Sequence, residues 1–251
     1  MKTIEEVLIK LDEIIDWSKE NKSPVGYFAC TYRATTAQVL RNVQQKKFED
    51  NARMVQMDVA FAVRYLDAWE NYQKGKKCTK SWIMAFDATQ NSKLLIMHHI
   101  FLGMNAHINL DLGFSAASVV PARKINPLKN DFNKINSVIA SINQNVQNSL
   151  NEICYPIKLV DQISQGKDNS FLNFSISKAR EMSWATAQVA SNTPKYLLSS
   201  VEHIVDYATA RVGNQILHPQ LIASPLLKEL KACESQDVAK NIEILQKIKN
   251  V

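Results

Sequence analysis

The sequence predicts an all-α fold: a single multi-helix, bundle-like domain spanning 1–251, with a buried central helix near 92–117. Three observations predict it. The 251 residues include only 6 glycines, against roughly 17 at an average usage of about 7%, and strand-rich folds need glycine at their tight turns. Apolar residues recur at intervals of three and four along most of the chain, the period of a helix with one buried face. Near 92–117 the chain is apolar on nearly every side, from Leu94, Leu95 and Ile96 through Phe101 and Leu102 to Leu110 and Leu112, as expected of a helix enclosed by others.

The elements follow in order. Thr3 and Glu6 have the spacing of a capping box ahead of Ile4, Val7, Leu8, Leu11, Ile14 and Ile15, which predicts a first helix. Lys22 to Gly26 supplies breakers, and Tyr32 to about Val43 is compatible with a second helix. A third runs from about Asn51 to Gln73, with Met54, Phe61, Ala62, Tyr65, Ala68 and Trp69 on its apolar face, and ends in the basic turn Lys74 to Lys80. After the central helix, Pro121 and Pro127 mark a connection. Ile135, Val138, Ile139, Ile142, Val146 and Leu150 then form the apolar stripe of a helix entered near Asn130 or Asp131. Further helical patterns lie around 155–165, 175–192, 195–216 and 236–249, separated by Gly166, Pro194 and Pro219.

Composition narrows the function. With 46% hydrophobic and 22% charged residues, the chain is neither disordered nor membrane-spanning in character. The net charge of +6 is compatible with anionic partners without naming one. The basic cluster Lys74 to Lys80 lacks interleaved aromatics and glycine-rich cradles, so nucleic acid is not the expected partner. Cys30, Cys78, Cys154 and Cys233 form no C-x-x-C pair and read as reduced thiols. Acidic residues interrupt the amino-terminal apolar pattern, so a cytoplasmic location is expected.

The chemistry concentrates where polar residues interrupt the central helix, from His98 to Asp111. Buried without partners, such groups cost several kcal/mol. At 100° per residue His99, Gly103, His107 and Asp111 share one stripe, and His98, Asn105 and Asn109 a second about a quarter-turn away. Gly103 would leave room there for an ion, a water or a substrate. The i, i+4 spacing of His107 and Asp111 lets both reach one ion; equally, Asp111 could fix the His107 tautomer inside a buried network. Asp58 lies on the apolar face of the third helix and is a candidate second carboxylate, or else a salt-bridge partner of Arg33 or Arg64. Asp131 reads as a helix cap. Arg64 and Tyr65, on the same predicted helix as Asp58, and Arg180 and Trp184, four apart on one helix face, are candidate substrate contacts. His203 and Asp206 read as residues of a solvated helix side.

Leu102 to Leu112, with Asp58 to Ala68, Trp82 to Phe86 and Asp131 to Asn136, resembles the signature of the uncharacterised DUF5995 family, for which no reaction is established. More locally, Leu102-Gly103 through His107 to Asp111 is similar to the L-G-x-x-x-H-x-x-x-D helix of zinc-dependent phospholipase C and related nucleases. That similarity implies His107 and Asp111 as ligands of a zinc site that hydrolyses phosphodiesters.

Together these readings lead to the expectation of a metal-dependent hydrolase acting on a phosphoester or acyl substrate. His107, Asp111, Asp58 and one of His98 or His99 would hold a divalent ion, zinc first and iron or manganese second, while Asn105 and Asn109 orient the substrate. The alternative, with no ion, is a non-enzymatic helical protein whose polar wall lines a small-ligand pocket or rigidifies the core. The partner expected in either case is a small molecule; the oligomeric state is left open.

Overall fold

The computed structural model describes residues 1–153, 176–218 and 225–250. The helical pattern expected around 155–165, Cys154, and the breaks at Gly166 and Pro219 lie outside the described residues. Among the described residues there are helices and no strands, so the fold is all-α and bundle-like. In chain order the helices are α1 (Ile4–Glu20), α2 (Val25–Gln44), α3 (Asn51–Gln73), α4 (Lys80–Asp87), α5 (Ile96–Asn105), a π-helical segment (Ala106–Asp111), α6 (Leu112–Ser118), α7 (Lys129–Ile153), α8 (Ile176–Asn192), α9 (Leu198–Leu217), α10 (Pro225–Cys233) and α11 (Val238–Gln246).

α1 forms because its apolar residues fall on one face: Ile4, Val7, Leu11, Ile14 and Ile15 are all buried, each worth roughly 1.5–3 kcal/mol. The Thr3 hydroxyl accepts the Glu6 N–H at 3.2 Å. The Glu6 carboxylate reaches back to the Lys2 N–H at 2.7 Å instead of closing the box on Thr3. α2 begins at Val25, well before Tyr32, because Pro24 is compatible with a helix start and Gly26 lets α2 press close to Ser18 and Ile242. α3 has the expected limits. α4 and α10, of 8 and 9 residues, are not among the helices the sequence predicts.

The expected central helix is a near-continuous rod, α5 through the π-helical segment to α6. α2, α3, α4, α8 and α9 pack around it, while α11 closes over α1, α2 and α7. The space beside Gly103 is filled, not open: the Phe28 ring of α2 occupies it, and a Cβ there would lie 2.6 Å from Phe28 Cδ2. Close approach of α2 and α5 therefore requires glycine.

Buried carboxylates fasten the starts of three helices from a distance. Asp131, fully buried, does not cap its own helix; it accepts the Glu49 and Asp50 N–H groups at 2.7 and 2.9 Å, at the entry to α3. Asp206 is buried rather than solvated and accepts the Lys80 and Ser81 N–H groups at 2.8 and 2.9 Å, at the start of α4; its neighbour His203 is exposed. Glu234 accepts the Ile96 N–H at 3.0 Å, at the start of α5. Each supplies an acceptor to orphan N–H groups and a negative charge to the positive end of a helix.

Cys78 is a free thiol. Among the described residues no helix is long and apolar enough to cross a membrane. Gly103→Ala is expected to destabilise the protein by about 2 kcal/mol in urea unfolding, because the added methyl meets a packed ring; an unchanged midpoint would contradict the close α2–α5 approach.

Candidate functional site

The site is built on the π-helical turn. Between Ala106 and Asp111 the rod widens, and the Leu112 N–H donates to the His107 carbonyl, five residues back; such bulges concentrate at functional sites. His107 and Asp111 both lie in this turn and are both buried.

Asp111 is 2% exposed, and its carboxylate is held from several sides. Arg64 Nε of α3 donates to Oδ1 at 2.9 Å, and Trp82 Nε1 of α4 donates to Oδ2 at 2.9 Å. His107 Nδ1 lies 3.2 Å from Oδ2. Arg64 is tied in turn to Glu202 of α9 and lies over the Phe114 ring. A buried carboxylate survives only with such compensation.

His107 stacks on Phe61, ring centroids 3.5 Å apart, with Tyr32 edge-on at 4.4 Å. Burial pushes its pKa down, outweighing the opposing pull of Asp111, so the imidazole is neutral. A neutral ring facing a carboxylate carries its proton on Nδ1, which leaves Nε2 as an acceptor. Nε2 is buried and has no hydrogen-bond partner.

His107 lines a cavity of about 200 Å³ bounded by α2, α3, the rod, α7 and α8. Its lining is mainly Phe, Ile, Leu and Met, interrupted by Thr31, Tyr32, Thr35, Asp58, His107 and Arg180. Asp58 is the exception among the buried carboxyls of the described residues. Asp111, Asp131, Asp206 and Glu234 all accept hydrogen bonds; Asp58 Oδ2 is buried without a partner. The partners expected for it are engaged elsewhere, Arg33 with Asp12 and Arg64 with Asp111 and Glu202. Burial alone pushes the Asp58 pKa up to about 7. Arg180, 4% exposed, gives an Nη2–H to the Phe132 carbonyl and lies over the Phe132 ring at 4.5 Å, while its Nε has no partner.

The remaining candidates lie outside this cavity. Asn109 donates to Asn105, which donates to the Thr209 carbonyl of α9; the pair joins helices and does not face the cavity. His98 Nδ1 accepts the Leu95 N–H at 3.0 Å and closes the start of α5. His99 lines a separate crevice with Tyr27, Lys231 and Glu234, where burial pushes its pKa down to about 3. Tyr65 is a fully buried core residue, and Arg64 supports Asp111. Trp184 packs on Phe132, ring centroids 5.0 Å apart, behind Arg180. Sequence reading did not single out Trp82 or Glu202, which complete the Asp111 network, or Tyr32 and Phe61, which flank His107. Trp82 carried a signal only as part of the family-like segment Trp82 to Phe86.

The expected metal ligands do not assemble. Asp111 already serves Arg64, Trp82 and His107, and His98 and His99 are turned to other sites. Among the described residues no three His, Cys, Asp or Glu side chains come together in a way that could hold a metal ion.

The isolation of Asp58 has a measurable consequence. Its folded-state pKa lies above the unfolded value, so its contribution favours folding while it is protonated and is lost as pH rises through about 7. Asp58→Asn, neutral throughout, is expected to be more stable than wild type at pH 8 by on the order of 2 kcal/mol in urea unfolding, with the difference shrinking at pH 5. A variant destabilised equally at both pH values would show that Asp58 has a structural partner.

Comparison with known proteins places the chain without supplying a reaction. The model of a family of unknown function, DUF5995, matches residues 4–219. No curated protein and no solved structure matches the chain. With the match running from α1 to the end of α9, and so including the central rod, α3 and α4 that carry the site, the chain belongs to the DUF5995 family.

Proposed function

We propose that the protein binds a small, predominantly apolar molecule in the cavity beside His107. The observation that carries this reading is one apolar cavity lined by Asp58, His107 and Arg180, each with a buried, unpartnered polar atom. Unpartnered groups of this kind cost about 1–3 kcal/mol each, and ligand sites combine apolar walls with a few placed polar groups. A cavity of about 200 Å³ is smaller than the roughly 300–1,000 Å³ of drug-sized sites, which favours a compact ligand.

A second reading, metal-free hydrolysis, rests on the His107–Asp111 contact. An imidazole with Nδ1 held by a carboxylate and Nε2 available is arranged as a general base. It would take a proton from water attacking an acyl substrate, with Asp58 as the proton donor. In this reading the hydrolysis of p-nitrophenyl butyrate would fall by about 10²–10⁴-fold in His107→Gln, while ligand binding persisted.

Binding is tested with the neutral fluorophore N-phenyl-1-naphthylamine and the full chain. Saturable fluorescence enhancement is expected in the wild type, weakened about tenfold by Ile135→Phe, which fills the cavity from α7. Thermal unfolding of Ile135→Phe checks that the variant is folded. A signal unaffected in a folded variant would place the probe elsewhere and contradict the proposal.

A further inference from the structure

The Arg180 guanidinium is a buried cation with no anion among the described residues. It contacts the Phe132 carbonyl and ring, and no Asp or Glu forms an ion pair with it among the described residues. The four engaged buried carboxyls are committed to helix starts or to Arg64 and Trp82. Asp58 borders the same cavity as Arg180, but the two form no ion pair, and Asp58 Oδ2 and Arg180 Nε are each without a partner. Arg180 remains charged at neutral pH, since burial lowers its pKa only to about 10.

Uncompensated burial of a guanidinium is costly, and removing the partner of a buried ion pair typically costs several kcal/mol. A cation so placed in the wall of an apolar cavity is completed by an anion that the ligand brings. Resting on the small-ligand reading above, we infer that the ligand is a monocarboxylate with a compact apolar body, its carboxylate paired with Arg180 and its body among the Phe, Ile and Met side chains of the cavity. A carboxylate matches the planar guanidinium fork. It also carries the single charge needed to neutralise one cation, whereas a dianion would leave buried negative charge in a cavity that already holds Asp58.

The experiment measures displacement of N-phenyl-1-naphthylamine from the full chain at pH 6, where Asp58 is mostly protonated and octanoate is ionised, by octanoate, octyl phosphate and 1-octanol. Wild type, Arg180→Met and Arg180→Lys are compared. Octanoate is expected to bind wild type at least about tenfold more tightly than 1-octanol. Arg180→Met should abolish that preference, so that octanoate no longer binds more tightly than 1-octanol, and Arg180→Lys should keep only part of it. Should Arg180→Met fail to fold, the partial loss in Arg180→Lys decides the matter. Octanoate binding no tighter than 1-octanol, equal losses for both in the variants, or tighter binding of octyl phosphate would overturn the carboxylate assignment while leaving the small-ligand reading intact. Failure of the fluorophore and all three competitors to bind would overturn both.

Discussion

Everything around the site depends on keeping one carboxylate charged where water is excluded. Asp111 lies in the middle of the central rod, and taking an isolated carboxylate there would cost more than the fold could offset. The compensation comes from α3 through Arg64 and from α4 through Trp82, and Glu202 holds Arg64 from α9. Three helices are thereby fixed against the rod at one atom pair. The same carboxylate faces His107 Nδ1, so the arrangement that secures the packing also selects the imidazole tautomer. The π-helical turn is where these demands meet: it places both residues of the pair in one widened turn, with His107 reaching the cavity wall.

The other buried acids show how this fold ordinarily treats negative charge. Asp131, Asp206 and Glu234 each come from a later helix or helix end and accept backbone N–H groups where α3, α4 and α5 begin. Burial raises the Glu234 pKa, against the pull of Lys231 and the Ile96 N–H. These carboxyls join distant parts of the chain and need no ligand to explain them. Asp58 and Arg180 depart from that pattern. Both are buried, both border one apolar cavity, and among the described residues neither pairs with the other or with a neighbour of opposite charge. Among the described residues these two groups set the cavity apart from the other buried charges.

Much of the fold was legible in the sequence because periodicity reports burial directly. The limits of α3, the enclosed character of the central rod and the burial of Ile135 and Val138 on α7 follow from the spacing of apolar residues. The stripe containing His107 and Asp111 was also legible, since two i, i+4 polar groups in an apolar helix need partners. Their partners were not, because Arg64, Trp82 and Glu202 lie 47, 29 and 91 positions from Asp111 in sequence and meet it or each other only through tertiary packing. Local spacing suggested that Asp131 caps its own helix and that Asp206 is solvated; long-range contacts assign both to other helices. The single-residue angle of an α-helix also carried no sign of the π-turn. Gly103 read as space, whereas Phe28, 75 positions earlier, fills it.

Asp111 holds a neutral His107 with its proton on Nδ1 and Nε2 unprotonated. Nitrogen-15 NMR of the protein labelled at histidine reads this directly. The expected result is one imidazole with a protonated Nδ1 and a deprotonated Nε2 whose shifts stay constant from pH 8 down to pH 6, assigned by its disappearance in His107→Gln. Assignment of the proton to Nε2, or titration of this ring at the ordinary histidine pKa of about 6.5, would contradict a neutral His107 held through Nδ1.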